Sequence, residues 1–345
     1  MTNALKIYLD DIENRLNPEF EDEILEFWRL WGEHKKTSFD MPKGRVPKPS
    51  VIEWPCVNIN DAIKDDELMV IREFAGVSKR LSQSNAFPLR VRANYGVANV
   101  ASAFGCPLFE MPRETDTLPN AVKLGEDACC ALIEKPIPDM YAGNFEGIFR
   151  MGKLYREICA AYPKIGKYVH IEQPDLQGPM DNLELLWGSD LFYALYDMPE
   201  EIHALLDKIT QFISQQLDAW LELFPGNAGT ASYFRHREKG SLALRDDSAM
   251  NLSPAFFEEF IAQYDQRLLK KYGGIVHFCG KGDHFIPLLS KLEGLNGINM
   301  SQPHLNDMQK VFANTIDKGI HLSLSINHTP EGSHDFGNLL LLGND

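Results

Sequence analysis

The sequence contains few cysteines, and their spacing follows no recognisable framework. Six occur among 345 residues, at Cys56, Cys106, Cys129, Cys130, Cys159 and Cys279. The chain has no CxxC pair and no P-loop, GxGxxG or GxSxG signature. Sparse, irregularly spaced cysteines are typical of free thiols in a reducing compartment rather than of a disulfide scaffold.

Basic charge and long apolar runs are also scarce. Lys and Arg total 34 against 49 Asp and Glu, which gives a formal charge of −15. An acidic surface disfavours nucleic acid as the main partner. No apolar stretch approaches the ~20 residues that span a bilayer, and the polar, acidic N-terminus does not read as a signal peptide. We therefore expect a cytoplasmic protein with a small-molecule substrate and neither a nucleic-acid nor a membrane partner.

The chain instead shows an alternation of short apolar segments and amphipathic helices. From residue 167 onward, each predicted strand runs into a polar loop and is followed by a helix, the longest of which opens at Pro199. This order is typical of a parallel α/β fold, and the length favours a (β/α)8 barrel of the TIM type over residues 86–345. Residues 1–85 are predicted to form an N-terminal helical extension packed on the barrel, where they would cap its mouth or mediate homodimerisation.

Residues 274–283 carry the strongest chemical signal. They read as a buried strand that enters a glycine-rich loop. Because residues two apart in a strand share a face, His277 and Cys279 are predicted to point the same way at the end of the strand. An imidazole and a thiolate so placed suit a tetrahedral metal, most often zinc.

Other polar residues follow the predicted strands at the same edge. In a barrel the active site lies at the carboxyl ends of the strands, so these side chains are expected to converge. We assign Asp246 and Asp247 a catalytic role, in which they orient the substrate or tune the metal. Arg92 and Tyr95 would bind a substrate carboxylate, since the arginine fork suits that group. The remaining candidates for substrate binding are Gln173, Asp175, Asn299 and Gln302.

Four motifs in this order resemble the uroporphyrinogen decarboxylase superfamily over roughly residues 85–327. The superfamily includes the decarboxylase of haem synthesis and zinc-dependent, corrinoid-linked methyltransferases, all built on barrels. The His-x-Cys strand places the resemblance closer to the methyltransferases, and the arginine-rich N-terminal motif of the decarboxylase is missing. The motifs are Gly178-Pro179-Met180-Asp181-Asn182-Leu183 with Trp187-Gly188, Met198-Pro199-Glu200, Asp246-Asp247-Ser248 with Leu252-Ser253-Pro254, and His277-Phe278-Cys279-Gly280.

The resemblance implies a methyltransferase that moves a methyl group between a corrinoid (cobalamin) carrier and a thiol or similar acceptor. Zinc on His277 and Cys279 would activate the acceptor, and a partner corrinoid protein would hold the carrier. The methyltransferases take a third ligand from a C-terminal cysteine, and this chain has none after Cys279. The candidates to replace it are His304, His328, His334 or a carboxylate. Two alternatives stay open: a cofactor-free decarboxylase of a tetrapyrrole or other aromatic carboxylate, and a non-catalytic barrel that binds a corrinoid or small ligand.

Overall fold

The computed structural model describes residues 1–233, 235–326 and 336–343. They form a mixed α/β structure in which helices surround a parallel sheet. The α-helices are α1 Asn3–Arg15, α2 Pro18–Gly32, α3 Ile59–Ala62, α4 Asp66–Leu81, α5 Asn99–Ala103, α6 Glu126–Cys130, α7 Phe145–Ala161, α8 Pro163–Tyr168, α9 Pro179–Trp187, α10 Leu191–Asp197, α11 Pro199–Leu223, α12 Pro254–Phe257, α13 Gln263–Tyr272, α14 Ile286–Leu289 and α15 Met308–Asn314.

The strands belong to one large sheet and three small ones. Five parallel strands lie in the order β11-β10-β9-β8-β7, β1 pairs with β4 in parallel, and β2 with β3 and β5 with β6 form antiparallel pairs. The strands are β1 Leu89–Val91, β2 Leu108–Phe109, β3 Asn120–Ala121, β4 Val169–Ile171, β5 Thr230–Tyr233, β6 His236–Lys239, β7 Leu242–Arg245, β8 Gly274–Phe278, β9 Leu295–Met300, β10 His321–Ile326 and β11 Leu339–Gly343.

The core strands are buried on both faces, as expected for a parallel sheet covered by helices. All five residues of β8 are buried. Gly274, at the start of β8, has a φ of 152°, and a Cβ there would collide with the carbonyl oxygen of Leu242 on β7. Glycine therefore allows the two strands to meet at their first residues, which sets the register that pairs Arg245 with His277.

The N-terminal helices pack against the sheet region. The Trp31 indole of α2 donates a hydrogen bond of 3.0 Å to Glu238 of β6. Trp28 and Trp31 share a buried apolar cluster with Leu340 and Leu342 of β11. The first and last parts of the chain are thus held together by burial of large aromatic side chains.

Within the part of the chain that the structure describes, no helix combines the length and the apolar character needed to cross a membrane.

Candidate metal centre and adjoining cavities

Three side chains meet at the carboxyl edge of the parallel sheet. Asp247 is the second residue after β7, His277 lies near the end of β8, and Cys279 directly follows β8. One ligand atom from each of the three lies within 4.8 Å of the other two. The Cys279 sulfur is 3.3 Å from Nε2 of His277, and Asp247 Oδ1 is 3.7 Å from the same nitrogen. A thiol, an imidazole and a carboxylate form a donor set that zinc accepts.

His277 is held so that one ring nitrogen faces this cluster. Its Nδ1 lies 2.6 Å from Oδ1 of Asn299, whose amide nitrogen donates a 2.7 Å bond to the Ser323 hydroxyl. An amide oxygen can only accept, so Nδ1 carries the proton and Nε2 presents its lone pair to the cluster. Burial lowers the pKa of His277, which favours the neutral form that binds metals.

Asp247 is fixed by the loop that carries it. The Asp181 carboxylate accepts backbone N–H bonds from Asp247 and Ser248, both of 2.9 Å. Asp247 Oδ1 in turn accepts the backbone N–H of Cys279 at 2.7 Å. The two strand ends are therefore tied to each other by the carboxylate that completes the cluster.

The protein environment disfavours a free thiolate at Cys279. Burial, followed by the neighbouring Asp247 carboxylate, raises the pKa of the Cys279 thiol to about 11. A bound cation would reverse this effect, because metal coordination deprotonates a thiol. The donor set is thus chemically suited to a divalent metal, and its geometry is largely fixed by hydrogen bonds.

One cavity adjoins the cluster, and a second cavity lies beside the first. The site cavity, of about 660 Å³, is lined by Asp247 and His277. A second cavity, of about 400 Å³, lies beside it, and both share Val97, Tyr233 and Arg245 in their walls. The Tyr233 ring lies 5.1 Å from the His277 ring and 5.1 Å from the guanidinium carbon of Arg245. Tyr233 and Arg245 thus form the partition between the cavities.

Three predicted substrate-binding residues line the second cavity. They are Arg92, Gln173 and Asp175. Asp175 is ion-paired with Arg245 and lies 3.4 Å from Arg92. The Gln173 side chain is engaged with the protein itself, since it donates to and accepts from the backbone of Ala243 at 3.2 Å.

Two further predicted residues hold parts of the candidate metal cluster and its loop in place. Asn299 is fully buried beneath His277. Gln302 accepts the backbone N–H of Gly280 at 2.6 Å, which braces the loop after Cys279. Asn299 lies within β9 and Gln302 follows that strand by two residues, and a role of either side chain in substrate binding stays a prediction.

The structure places two predicted residues away from the cavity walls. Asp246 is 1% exposed, and its carboxylate lies beside the equally buried Asp265. Tyr95 is buried against Gly147, and burial raises its pKa to about 12. Asp246 and Asp247 are adjacent in the chain, so their side chains point in different directions. This explains why Asp246 is buried while Asp247 lines the site cavity.

The candidates for the third ligand have different outcomes. His304 is exposed on a short turn, Pro303–Leu305, and does not belong to the cluster formed by the described residues. His328 and His334 lie outside the described residues. The remaining candidate, a carboxylate, is the group that joins His277 and Cys279 in the described structure, and it belongs to Asp247, to which the sequence had given a catalytic role.

Sequence reasoning missed Tyr233, Arg245 and Glu73, which line the cavities. Arg245 is the last residue of β7 and directly precedes the predicted aspartate pair, so its position in the sequence was an available signal. No such signal pointed to Tyr233 or Glu73, because Tyr233 lies on the β5–β6 hairpin and Glu73 on helix α4.

Comparison of the chain with protein-family models and with curated proteins gave no match.

Proposed function

We propose that this chain is a zinc-dependent methyltransferase that transfers a methyl group between a corrinoid carrier and a thiol. The observation that carries the proposal is the grouping of Asp247, His277 and Cys279 within 4.8 Å at the carboxyl edge of a parallel sheet. Three protein ligands are typical of catalytic zinc sites, which keep one position open. Zinc bound there would lower the pKa of a substrate thiol and make its sulfur nucleophilic at neutral pH.

The fold that we propose for this enzyme is a closed (β/α)8 barrel. Two contacts support closure. The Gln173 amide, just beyond β4, bonds both backbone groups of Ala243 on β7 in the manner of a strand neighbour. On the opposite edge, Leu340 and Leu342 of β11 pack with Ala86, three residues before β1. The β1–β4 pair would thus bridge the two edges of the five-stranded sheet.

The surrounding residues have defined tasks in such a reaction. Asn299 holds His277 in the tautomer that leaves Nε2 available. Asp181 fixes Asp247 through the loop. In the transfer itself, the substrate thiol releases its proton to solvent and a carbon–sulfur bond forms. The bond between the methyl group and its carrier breaks, and its electron pair stays on the carrier.

The direct test is transfer from methylcobalamin to a panel of thiols, followed by cobalamin absorbance and by mass spectrometry of the methylated thiol. We expect turnover by the zinc-loaded protein, and a loss of at least 100-fold in Cys279→Ser. Cys56→Ser is the control, because Cys56 is an exposed free thiol elsewhere. Turnover that is equal in Cys279→Ser would refute the proposal, and a corrinoid that binds without turnover would favour a binding barrel.

Decarboxylation is the second candidate, and one observation favours it. Arg92 lines the second cavity and keeps N–H donors beyond its contacts with Asn94 and Asp175, so it could hold a substrate carboxylate. Release of CO2 from aromatic or tetrapyrrole acids by protein stripped of metal would support this alternative. The same release should then survive Cys279→Ser, which separates it from the methyltransferase.

A further inference from the structure

The second cavity presents charges of both signs in equal number. Three arginines and three carboxylates line it: Arg90, Arg92, Arg245, Glu73, Glu172 and Asp175. A cavity built for a simple anion would carry an excess of positive charge, and this one carries none. Its charge balance suits a ligand that is itself neutral overall but has separated charges.

Arg92 supplies the cationic side of this cavity. A guanidinium has five N–H donors. Within the described part of the chain, Arg92 uses one toward Asn94 at 3.0 Å and one in a long 3.4 Å contact with Asp175. The donors that remain could form the two parallel hydrogen bonds that a carboxylate accepts.

Glu73 supplies the anionic side. Its two oxygens accept hydrogen bonds from the Arg92 backbone N–H at 3.2 Å and from the Asn94 amide at 3.1 Å. Among the described residues it has no lysine, arginine or histidine partner within ion-pair distance. Glu73 is half-buried in the cavity wall, so its carboxylate holds a negative charge that a ligand ammonium could neutralise. Asn94 fixes Glu73 and Arg92 side by side, since it donates to one and accepts from the other.

We propose that the second cavity binds the ammonium and carboxylate groups of an α-amino acid. This inference rests on the proposed function, and it identifies the methyl acceptor as an amino-acid thiol. The ligand carboxylate binds Arg92, and the ligand ammonium binds Glu73. The side chain of the ligand extends past Tyr233 and Arg245, which line both cavities. Its sulfur then lies toward His277 and Cys279.

This arrangement selects for both charged groups of the ligand. A thiol without the amino group would leave Glu73 without a cationic partner, and a thiol without the carboxylate would leave the remaining N–H donors of Arg92 without an acceptor. An unpaired polar group in a buried site costs more than the missing hydrogen bond would have contributed. We therefore expect strong discrimination between an amino acid and its two truncated analogues.

Binding of the ammonium and carboxylate groups in the second cavity can be tested without metal or methyl transfer. L-norleucine, hexanoate and pentylamine share the same apolar chain, and they carry both charged groups, the carboxylate alone or the amine alone. We expect chelator-treated full-length protein to bind norleucine at least 10-fold more tightly than either analogue, measured by calorimetry. Equal affinity for norleucine and hexanoate would overturn the proposal and assign a plain carboxylate site.

Variants locate the site. Arg92→Gln and Glu73→Gln should each weaken norleucine binding at least 10-fold, while Arg113→Gln, which alters an exposed ion pair with Asp61, should not. Norleucine binding that is unchanged in Arg92→Gln would place the amino acid elsewhere and contradict the proposal. If either variant fails to fold, the ligand comparison on the unaltered protein still decides the question.

The thiol end is tested separately. With zinc-loaded protein, L-cysteine, L-homocysteine and 2-amino-5-mercaptopentanoate extend the sulfur by one methylene at a time. One length should be methylated at least 10-fold faster than the others, because the distance from Arg92 to the cluster is fixed. Tight norleucine binding without methylation of any member would leave the amino-acid site standing and refute the methyltransferase.

Discussion

At the scale of single residues, the site depends on how His277 is held. Its two ring nitrogens have different tasks, because Nδ1 donates to Asn299 while Nε2 faces Cys279 and Asp247. Asn299 is itself anchored by the Ser323 hydroxyl. The orientation of Nε2, the nitrogen that would bind a metal, is therefore set by Asn299 and Ser323, which lie outside the cluster.

Replacement of Asn299 should weaken metal binding without removing a ligand. We expect Asn299→Ala to raise the dissociation constant for zinc by about 10- to 100-fold, the usual effect of losing such a partner. Competition with a chromogenic zinc chelator would measure it. Asn3→Ala, at an exposed position in α1, is the control. Unchanged zinc affinity in Asn299→Ala would mean that the ring is oriented by packing alone.

A second residue-scale feature is the buried pair Asp246 and Asp265. No donor among the described residues hydrogen-bonds to either carboxylate. Burial, and the mutual proximity of the two groups, raises the pKa of Asp246 well above its ordinary value, and burial raises that of Asp265 to about 7. At neutral pH the pair therefore holds at least one proton, which Asp246 shares with its neighbour.

Because the pKa values of this pair are raised in the folded state, we expect the free energy of unfolding to fall as the pH rises. The folded state keeps a proton on Asp265 up to pH of about 7, whereas the unfolded chain loses it near pH 4. Between those values the folded state binds more protons, so the free energy of unfolding decreases as the pH rises, by roughly 1.4 kcal/mol for each pH unit. Asp265→Asn should flatten this part of the curve, measured by urea denaturation at pH 5 to 8.

The control for that experiment is Asp190→Asn, which alters an exposed carboxylate and should keep the wild-type slope. A slope in Asp265→Asn equal to that of wild type would show that the pair does not carry the shared proton.

At the scale of elements, helix α2 is fastened to the chain before β1 by a buried ion pair. Arg45 contacts the Glu21 carboxylate through two bonds, of 2.6 and 2.8 Å, and both side chains are 3% exposed. Arg45 also donates to the Phe87 carbonyl oxygen at 2.8 Å. The N-terminal helices are thus tied to the segment that leads into the first strand.

Removal of one partner from this pair should be costly. Arg45→Ala leaves the Glu21 carboxylate buried without its cation, so we expect a loss of about 3–5 kcal/mol in the free energy of unfolding. Arg113→Ala, which breaks an exposed pair, should cost at most about 1 kcal/mol. Chemical denaturation of both variants would measure the difference. Equal effects would contradict the fastening role of Arg45.

The elements differ in how far the sequence predicted them. The strand that carries His277 and the helix that begins at Pro199 were both predicted, since periodicity and proline position are local signals. The β5–β6 hairpin was not. Its buried Glu238 is stabilised by Trp31 and by His321 at 2.7 Å, which are distant in sequence. Pattern reasoning has no access to partners of that kind.

At the scale of the whole molecule, alternation of strands and helices predicted the α/β class and the edge at which the site would lie. The sequence also predicted that His277 and Cys279 point the same way, because residues two apart in a strand share a face. The sequence offered a carboxylate as one candidate for the third ligand but did not assign that position to Asp247, because the contact depends on the register between β7 and β8. Closure of the barrel and the superfamily resemblance stay predictions.

The central claim is that Asp247, His277 and Cys279 hold one zinc ion. Its most direct test is the metal content of protein purified without added metal, by inductively coupled plasma mass spectrometry. We predict close to one zinc per chain in the wild type, and about a tenth of that or less in the His277→Ala/Cys279→Ala double variant, with Cys56→Ser unchanged. A wild type that takes up no zinc, even after incubation with excess metal, would contradict the account.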